Sequence, residues 1–128
     1  IDKTEANKLF VKQFVDDILL QGDPKKLPTY FNGDNYIQHN PLIPDKVSGL
    51  VKAFQERAKQ GKSMKYEKVH HLFGEGNFVL VVSEAVLAGQ QYAMYDLFRI
   101  ENNKIAEHWD VREEIPAKEQ WKNTNGKF

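Results

Sequence analysis

The chain contains no cysteine, which removes disulfides, thiolate chemistry and every zinc site that needs a Cys ligand. It also lacks an excess of either charge, because eighteen Lys and Arg balance eighteen Asp and Glu. The balance holds in both halves: residues 1–64 carry ten basic against eight acidic side chains, and residues 65–128 eight against ten. No basic stripe therefore offers itself to a phosphate backbone, and no nucleic-acid partner is expected. Long apolar runs are missing too. The longest, Phe78-Val79-Leu80-Val81-Val82, falls far below the roughly 20 residues that cross a bilayer, so no membrane partner is expected. Gly74-x-Gly76 lacks the third glycine and following helix of a dinucleotide fingerprint, and no Gly-Lys-Ser/Thr phosphate loop occurs. Ser63 and Ser83 lie in no nucleophile elbow. No His-Glu-x-x-His or EF-hand spacing is present, so neither a metal nor another cofactor is expected.

What remains is ordinary globular usage, 41% hydrophobic and 12% aromatic over 128 residues. That suffices for one core and is too short for two independent domains, so residues 1–128 are expected to form a single domain. Ile1 is not an initiator Met, which suits a processed chain. A cytoplasmic location is expected, with secretion or a periplasmic location left open.

Ala6, Phe10, Phe14 and Ile18 recur every four residues with Leu9 beside them, an apolar helical stripe that Asp2 or Thr4 can cap. Gly22-Asp23-Pro24 stops that helix and opens a short one over residues 25–31, kept brief by Pro28. Residues 36–40 read as a short extended piece before a loop stiffened by Pro41 and Pro44. Val47, Leu50, Val51, Phe54 and Ala58 mark a third helix, capped by Asp45 or Ser48 and ended by Gly61. The period then changes. Four strands are predicted at 65–73, 78–87, 91–100 and 104–112, and their short links make neighbours antiparallel. Helices first and a meander afterwards is an α+β order. A strongly curved sheet would enclose a pocket against the helices.

Alternation places His108, Asp110 and Arg112 on one face of the last strand, and Met94, Asp96 and Phe98 on one face of the strand before it. If those faces coincide, two carboxylates and an imidazole share an apolar pocket, which is what proton abstraction beside a carbonyl needs. A structural His108–Asp110 pair and a capping role for Asp96 are the competing readings. Tyr36, Gln38, His39 and Asn40 form a polar cluster able to bond a ligand or to satisfy a turn. His70 and His71 are adjacent on a strand and should face opposite ways, with His70 lining the cavity. Tyr95, Leu97, Trp109, Val111 and Val79 would then lie on the outer face, which a second copy of the chain could cover.

The segments Tyr36-Ile37-Gln38-His39-Asn40-Pro41, Tyr95-Asp96-Leu97-Phe98-Arg99-Ile100 and 104–111, with the order of elements, resemble the SnoaL-like polyketide-cyclase group of the NTF2-like superfamily. The resemblance runs from about residue 7 to 116, leaving 117–128 as a tail. It implies a cone: three N-terminal helices on a strongly curved, mainly antiparallel sheet around a deep pocket, with frequent homodimers through the outer sheet face. It further implies cofactor-free acid/base catalysis of the aldol-cyclisation, isomerisation or dehydration type on a small hydrophobic carbonyl compound. By resemblance Asp110 and His108 take the acid/base positions while His39, Asp96 and His70 line the pocket; with the strand faces read above, the expected catalytic set is Asp110, His108 and Asp96 and the ligand-binding set His39, Tyr36, Gln38, His70, Phe98 and Met94. The same superfamily holds noncatalytic ligand-binding and protein-interaction domains, so a binding module is the alternative.

Overall fold

Turn residues and apolar spacing divide the chain much as the sequence suggests. The structure, a computed structural model, describes residues 2–128. Helix α1 (Thr4–Phe14) runs on as a π-helical segment (Val15–Leu20), followed by a 3₁₀ helix (Pro24–Tyr30), strand β1 (Ile37–Gln38) and helix α2 (Lys46–Lys59). Strands β2 (Lys65–Glu75), β3 (Phe78–Leu87), β4 (Gln90–Glu101) and β5 (Lys104–Glu114) complete the core, and the tail holds one 3₁₀ turn, Lys118–Gln120.

The first helix buries Asn7, Val11, Phe14, Val15 and Ile18, while Leu9 is 61% exposed. Of the expected stripe, Phe14 and Ile18 are buried and Phe10 packs partly against the core, while Ala6 and the neighbouring Leu9 face solvent. A spacing of four overshoots the 3.6-residue turn, so such a stripe drifts around an α-helix. Switching to i→i+5 hydrogen bonds over Val15–Leu20 widens the turn and keeps Ile18 on the sheet. Asn7 Nδ2 donates to the Gly76 carbonyl at 2.9 Å, and the Gly76 N–H donates to Thr4 Oγ at 2.9 Å, which ties α1 to the β2–β3 turn. Asp2 accepts from the Thr4 N–H at 2.9 Å. Asp45 precedes α2, but its carboxylate accepts from the Gln38 N–H at 2.9 Å. Asp34 instead receives the Ser48 N–H at 2.7 Å.

The five strands are ordered β1-β5-β4-β3-β2. The last four form the expected antiparallel meander, and β1 adds a parallel edge with Ile37 opposite Glu107 and Gln38 opposite His108. The strongly curved NTF2-like cone is not formed. The sheet is mixed and open, with β1 and β2 as free edges, and it is neither closed nor strongly curled. Its inner face is filled rather than hollow. Val11, Phe14, Val15, Leu27, Tyr30, Phe31 and Tyr36 pack on Val79, Val81, Phe98, Ile100 and Ile105. The Phe14 ring meets Tyr30, Phe31 and Phe98 edge-on at 5.3, 5.8 and 5.5 Å. Each such buried side chain stabilises by about 1.5–3 kcal/mol, a gain that a hollow interior would forgo. Clefts of about 540 and 320 Å³ lie at the rim, the larger between Asn32–Ile37 and the β4–β5 turn, the smaller beside Lys3, Asn7 and that same turn. A second apolar cluster, Tyr66, Ala85, Tyr92 and Met94, sits toward the other end of the inner face.

Val79, expected outside, is wholly buried in the core. The outer face carries Phe73, Phe78 and Val111, which are 56, 42 and 65% exposed. The tail crosses part of this face. Lys127 pairs with Glu113, Phe128 stacks on the His70 ring at 4.0 Å, and His71 Nε2 lies 2.9 Å from the Phe128 carbonyl. No helix among the described residues is long and apolar enough to cross a membrane.

Candidate active site

Antiparallel register sets the centre. Asp96 on β4 lies directly opposite Asp110 on β5, and Phe98 opposite His108, so the three polar side chains share the inner face that the alternation suggested. Two carboxylates facing each other repel unless something compensates. The compensation is the imidazole: His108 Nε2 lies 2.9 Å from Asp96 Oδ1, both residues being almost fully buried. Asp96 Oδ2 accepts from the Tyr66 hydroxyl at 2.8 Å. Burial first, and then the neighbouring Asp96 charge, pushes the Tyr66 hydroxyl pKa well up, so it stays a donor. The same two causes, with Asp110 added, raise that of Tyr36.

The parallel pairing of β1 with β5 brings the 36–40 segment to this cluster. His108 Nδ1 lies 2.9 Å from Gln38 Oε1, and Gln38 Nε2 donates to the Tyr36 hydroxyl at 2.9 Å. The imidazole sits near two rings, Phe98 at 4.9 Å and Tyr36 at 6.5 Å. Asn40 Nδ2 donates to both oxygens of Asp110 at 3.1 Å, while Asn40 Oδ1 takes the Leu42 N–H at 2.9 Å. Asp110 is half-buried, and Asn40 is its side-chain partner; it has no ion pair among the described residues. Met94 is buried on the same face, opposite Arg112, whose guanidinium sits over the Tyr92 ring at 5.3 Å.

Asp96, Asp110, His108, Gln38, Tyr36 and Phe98 therefore come together, and Met94 shares their face within the neighbouring Tyr66–Tyr92 cluster. His39 and His70 do not. His39 follows inward-facing Gln38 by one residue and turns outward, stacking on Trp109 at 4.7 Å and bonding Glu107 at 2.6 Å. That imidazole, then Arg99, holds the Glu107 carboxyl below its usual range. β2 carries two irregularities, between Tyr66 and Lys68 and between Val69 and His71, and the first already reverses the alternation that would have aligned His70 with Tyr66. His70 bonds outer-face Glu84 at 2.9 Å. Tyr66, to which sequence reasoning gave no role, and Asn40, read there as a ligand-bonding or turn-satisfying residue, are the partners of the two carboxylates. The Gln-His-Asn-Pro cluster marked Asn40, and nothing in the sequence singled out Tyr66; which carboxylate each meets depends on how separate elements dock.

The ligand atoms of Asp96, His108 and Asp110 lie within 4.8 Å of one another, a spacing that could hold a cation. Both ring nitrogens of His108 and both oxygens of Asp96 are already engaged in hydrogen bonds. A metal would have to break them, so the donor set fits proton chemistry better than metal binding.

No protein-family model matches the chain, and no curated protein does. Solved structures do. A provisionally assigned ketosteroid isomerase from Kribbella flavida superposes with a TM-score of 0.74 over 98% of this chain and 95% of its own, at 9% identity. IdmH, a provisionally assigned polyketide cyclase from Streptomyces antibioticus, gives 0.65 over 84% and 91% at 15% identity. An NTF2-like protein of unknown function from Cytophaga hutchinsonii gives 0.64 over 84% and 89% at 20% identity. At these identities the likeness concerns the path of the chain: this protein shares its α+β fold with NTF2-like structures, and the reaction has to be argued from the site itself.

Proposed function

We propose that this protein is an enzyme performing cofactor-independent acid/base chemistry on a small hydrophobic carbonyl compound, by aldol-type cyclisation, isomerisation or dehydration. The observation that carries the reading is a half-buried carboxylate, Asp110, held among the described residues by the Asn40 amide and set opposite a buried, hydrogen-bonded Asp96–His108 pair. Asp110 removes a proton from the carbon beside the carbonyl. The C–H electrons move to form the enolate, and the proton held between His108 and Asp96 stands ready for its oxygen. Collapse onto a second carbonyl closes a ring, reprotonation at another carbon isomerises, and loss of a β-hydroxyl as water dehydrates. Met94, Phe98 and Tyr36 form the packed apolar backing of the polar cluster, and Gln38 orients the imidazole. The fold shared with a provisionally assigned isomerase and cyclase supports the same class.

The test does not need the natural substrate. A panel of cyclic and aromatic ketones is incubated in deuterated buffer, and exchange of the α-hydrogens is followed by proton NMR. Asp110→Asn should keep the fold and lose exchange by about 10²–10⁴-fold, the usual worth of a positioned base. Equal exchange in the variant sinks the reading.

A noncatalytic binding module is favoured by one observation: Asp96 and His108 are fully bonded within the protein, and both clefts lie away from them. In that case ketones bind, and exchange is absent from the unsubstituted protein as well. Either reading suits a homodimer through the outer sheet face, where Phe73, Phe78 and Val111 are exposed.

A further inference from the structure

Two backbone N–H groups determine which way the site's side-chain amides point. The Asn40 N–H can only donate, and it meets Gln38 Oε1 at 3.0 Å. A flipped amide would set an NH₂ against an N–H, so the oxygen must stand there. The same oxygen faces His108 Nδ1 at 2.9 Å. An amide oxygen only accepts, and Nδ1 therefore carries a hydrogen. The Leu42 N–H orients Asn40 likewise, turning its NH₂ toward Asp110.

With Nδ1 occupied, the contact between Nε2 and Asp96 needs one more proton, on the ring or on the carboxyl. In both placements the pair is neutral overall and stores one proton beyond that on Nδ1. Tyr66 donates to the remaining Asp96 oxygen, so it does not fill that place. Without the Gln38 oxygen, the ring could put a single hydrogen on Nε2, donate it to the carboxylate and leave Nδ1 bare, a common arrangement for a histidine beside a carboxylate. The pair would then carry a negative charge opposite Asp110 and hold no spare proton.

We infer that Gln38 is a positioning residue: aimed by the Asn40 N–H, it holds His108 in the Nδ1-protonated state and so makes Asp96–His108 a neutral, proton-storing partner of Asp110. The consequence for turnover rests on the acid/base reading above, whereas the position of the proton does not.

Long-range ¹H–¹⁵N NMR of the uniformly labelled full chain shows which ring nitrogen of His108 bears hydrogen. It is recorded while pH is raised until the ring keeps a single hydrogen or the folded range ends. The unsubstituted protein should retain the hydrogen on Nδ1. Gln38→Glu, which keeps an accepting oxygen, should do the same, and Gln38→Met, similar in length without an acceptor, should move it to Nε2. A bare Nδ1 in the unsubstituted protein, or a Met variant that still protonates Nδ1, overturns the inference. Should the Met variant fail to fold, the unsubstituted and Glu spectra decide alone. Because no substrate enters this measurement, an expected spectrum alongside unaltered ketone exchange in Asp110→Asn would sink only the acid/base reading.

Discussion

At the scale of single residues, Asp96 and Asp110 face each other yet stand in different surroundings. Asp96 is 2% exposed and bonded to both His108 and Tyr66. Replacing it by Ala leaves a buried imidazole and a buried hydroxyl without their partner, a loss of about 3–5 kcal/mol that a lower denaturation midpoint at unchanged slope would report. Asp110→Asn should stay within about 1 kcal/mol of the parent, because a half-buried carboxylate is exchanged for an amide of the same shape. Burial and Asp96 raise the Tyr66 hydroxyl above its ordinary value. Its contribution is accordingly complete below about pH 10, where the unfolded phenol titrates, and is lost as pH rises further. Tyr66→Phe should flatten the alkaline limb of a stability–pH curve, and an unchanged limb would remove Tyr66 as its source. Alternation grouped His108 with Asp110 on one strand face and Asp96 with Phe98 on another, because a strand's side chains can lie on only two faces, and the β4–β5 register then made the two faces one. His70 escaped the same rule because two irregularities interrupt β2, between Tyr66 and Lys68 and between Val69 and His71.

At the scale of elements, the helices are tied to the sheet and to the loops between them at a few close approaches. Gly49 on α2 is one: a Cβ there would stand 2.3 Å from the Pro44 carbonyl oxygen, which is backbone and cannot swing aside. Gly49→Ala raises intrinsic helix propensity by roughly 1 kcal/mol. Forcing the 41–45 loop outward costs about 1–3 kcal/mol, so net destabilisation is expected in thermal melts. That loop bears Asp45, which receives the Gln38 N–H, so the same substitution should also perturb the amide resonances of Gln38 and Asn40. The helices at Ala6–Ile18 and Val47–Ala58 were legible from spacing. The π-helical turn was not, since a repeat of four fits a drifting α-helix and a widened one equally well.

At the scale of the whole molecule, the open sheet is what separates this protein from a hollow cone. The aromatic residues of the helical layer occupy the space a deep pocket would need, and the polar cluster reaches the surface through Asp110 rather than lining an interior chamber. Ligands should therefore approach at that carboxylate and perturb Asn40 and Asp110 resonances before those of Phe14 or Phe31. The outer face presents apolar side chains on β2, β3 and β5. A stable pairing needs about 800 Å² from each partner. Light scattering should find twice the chain mass, and Phe78→Glu with Val111→Glu should halve it, both sites being exposed in the single chain. A monomer before substitution would remove the pairing.

By itself the sequence determined the order of helices and strands, the antiparallel meander of the last four strands, and the grouping of His108 with Asp110 on one strand face and of Asp96 with Met94 and Phe98 on another. All of these follow from periods of 3.6 and 2 and from short links, which act within an element or between neighbours in the chain. Only the tertiary structure decided that β1 joins β5 in parallel, that Asn40 and Tyr66 take one carboxylate each, that His39 and His70 turn outward, and that the sheet stays open. Those outcomes depend on bulges, backbone donors and the volume of side chains arriving from distant parts of the chain, none of which a local pattern records.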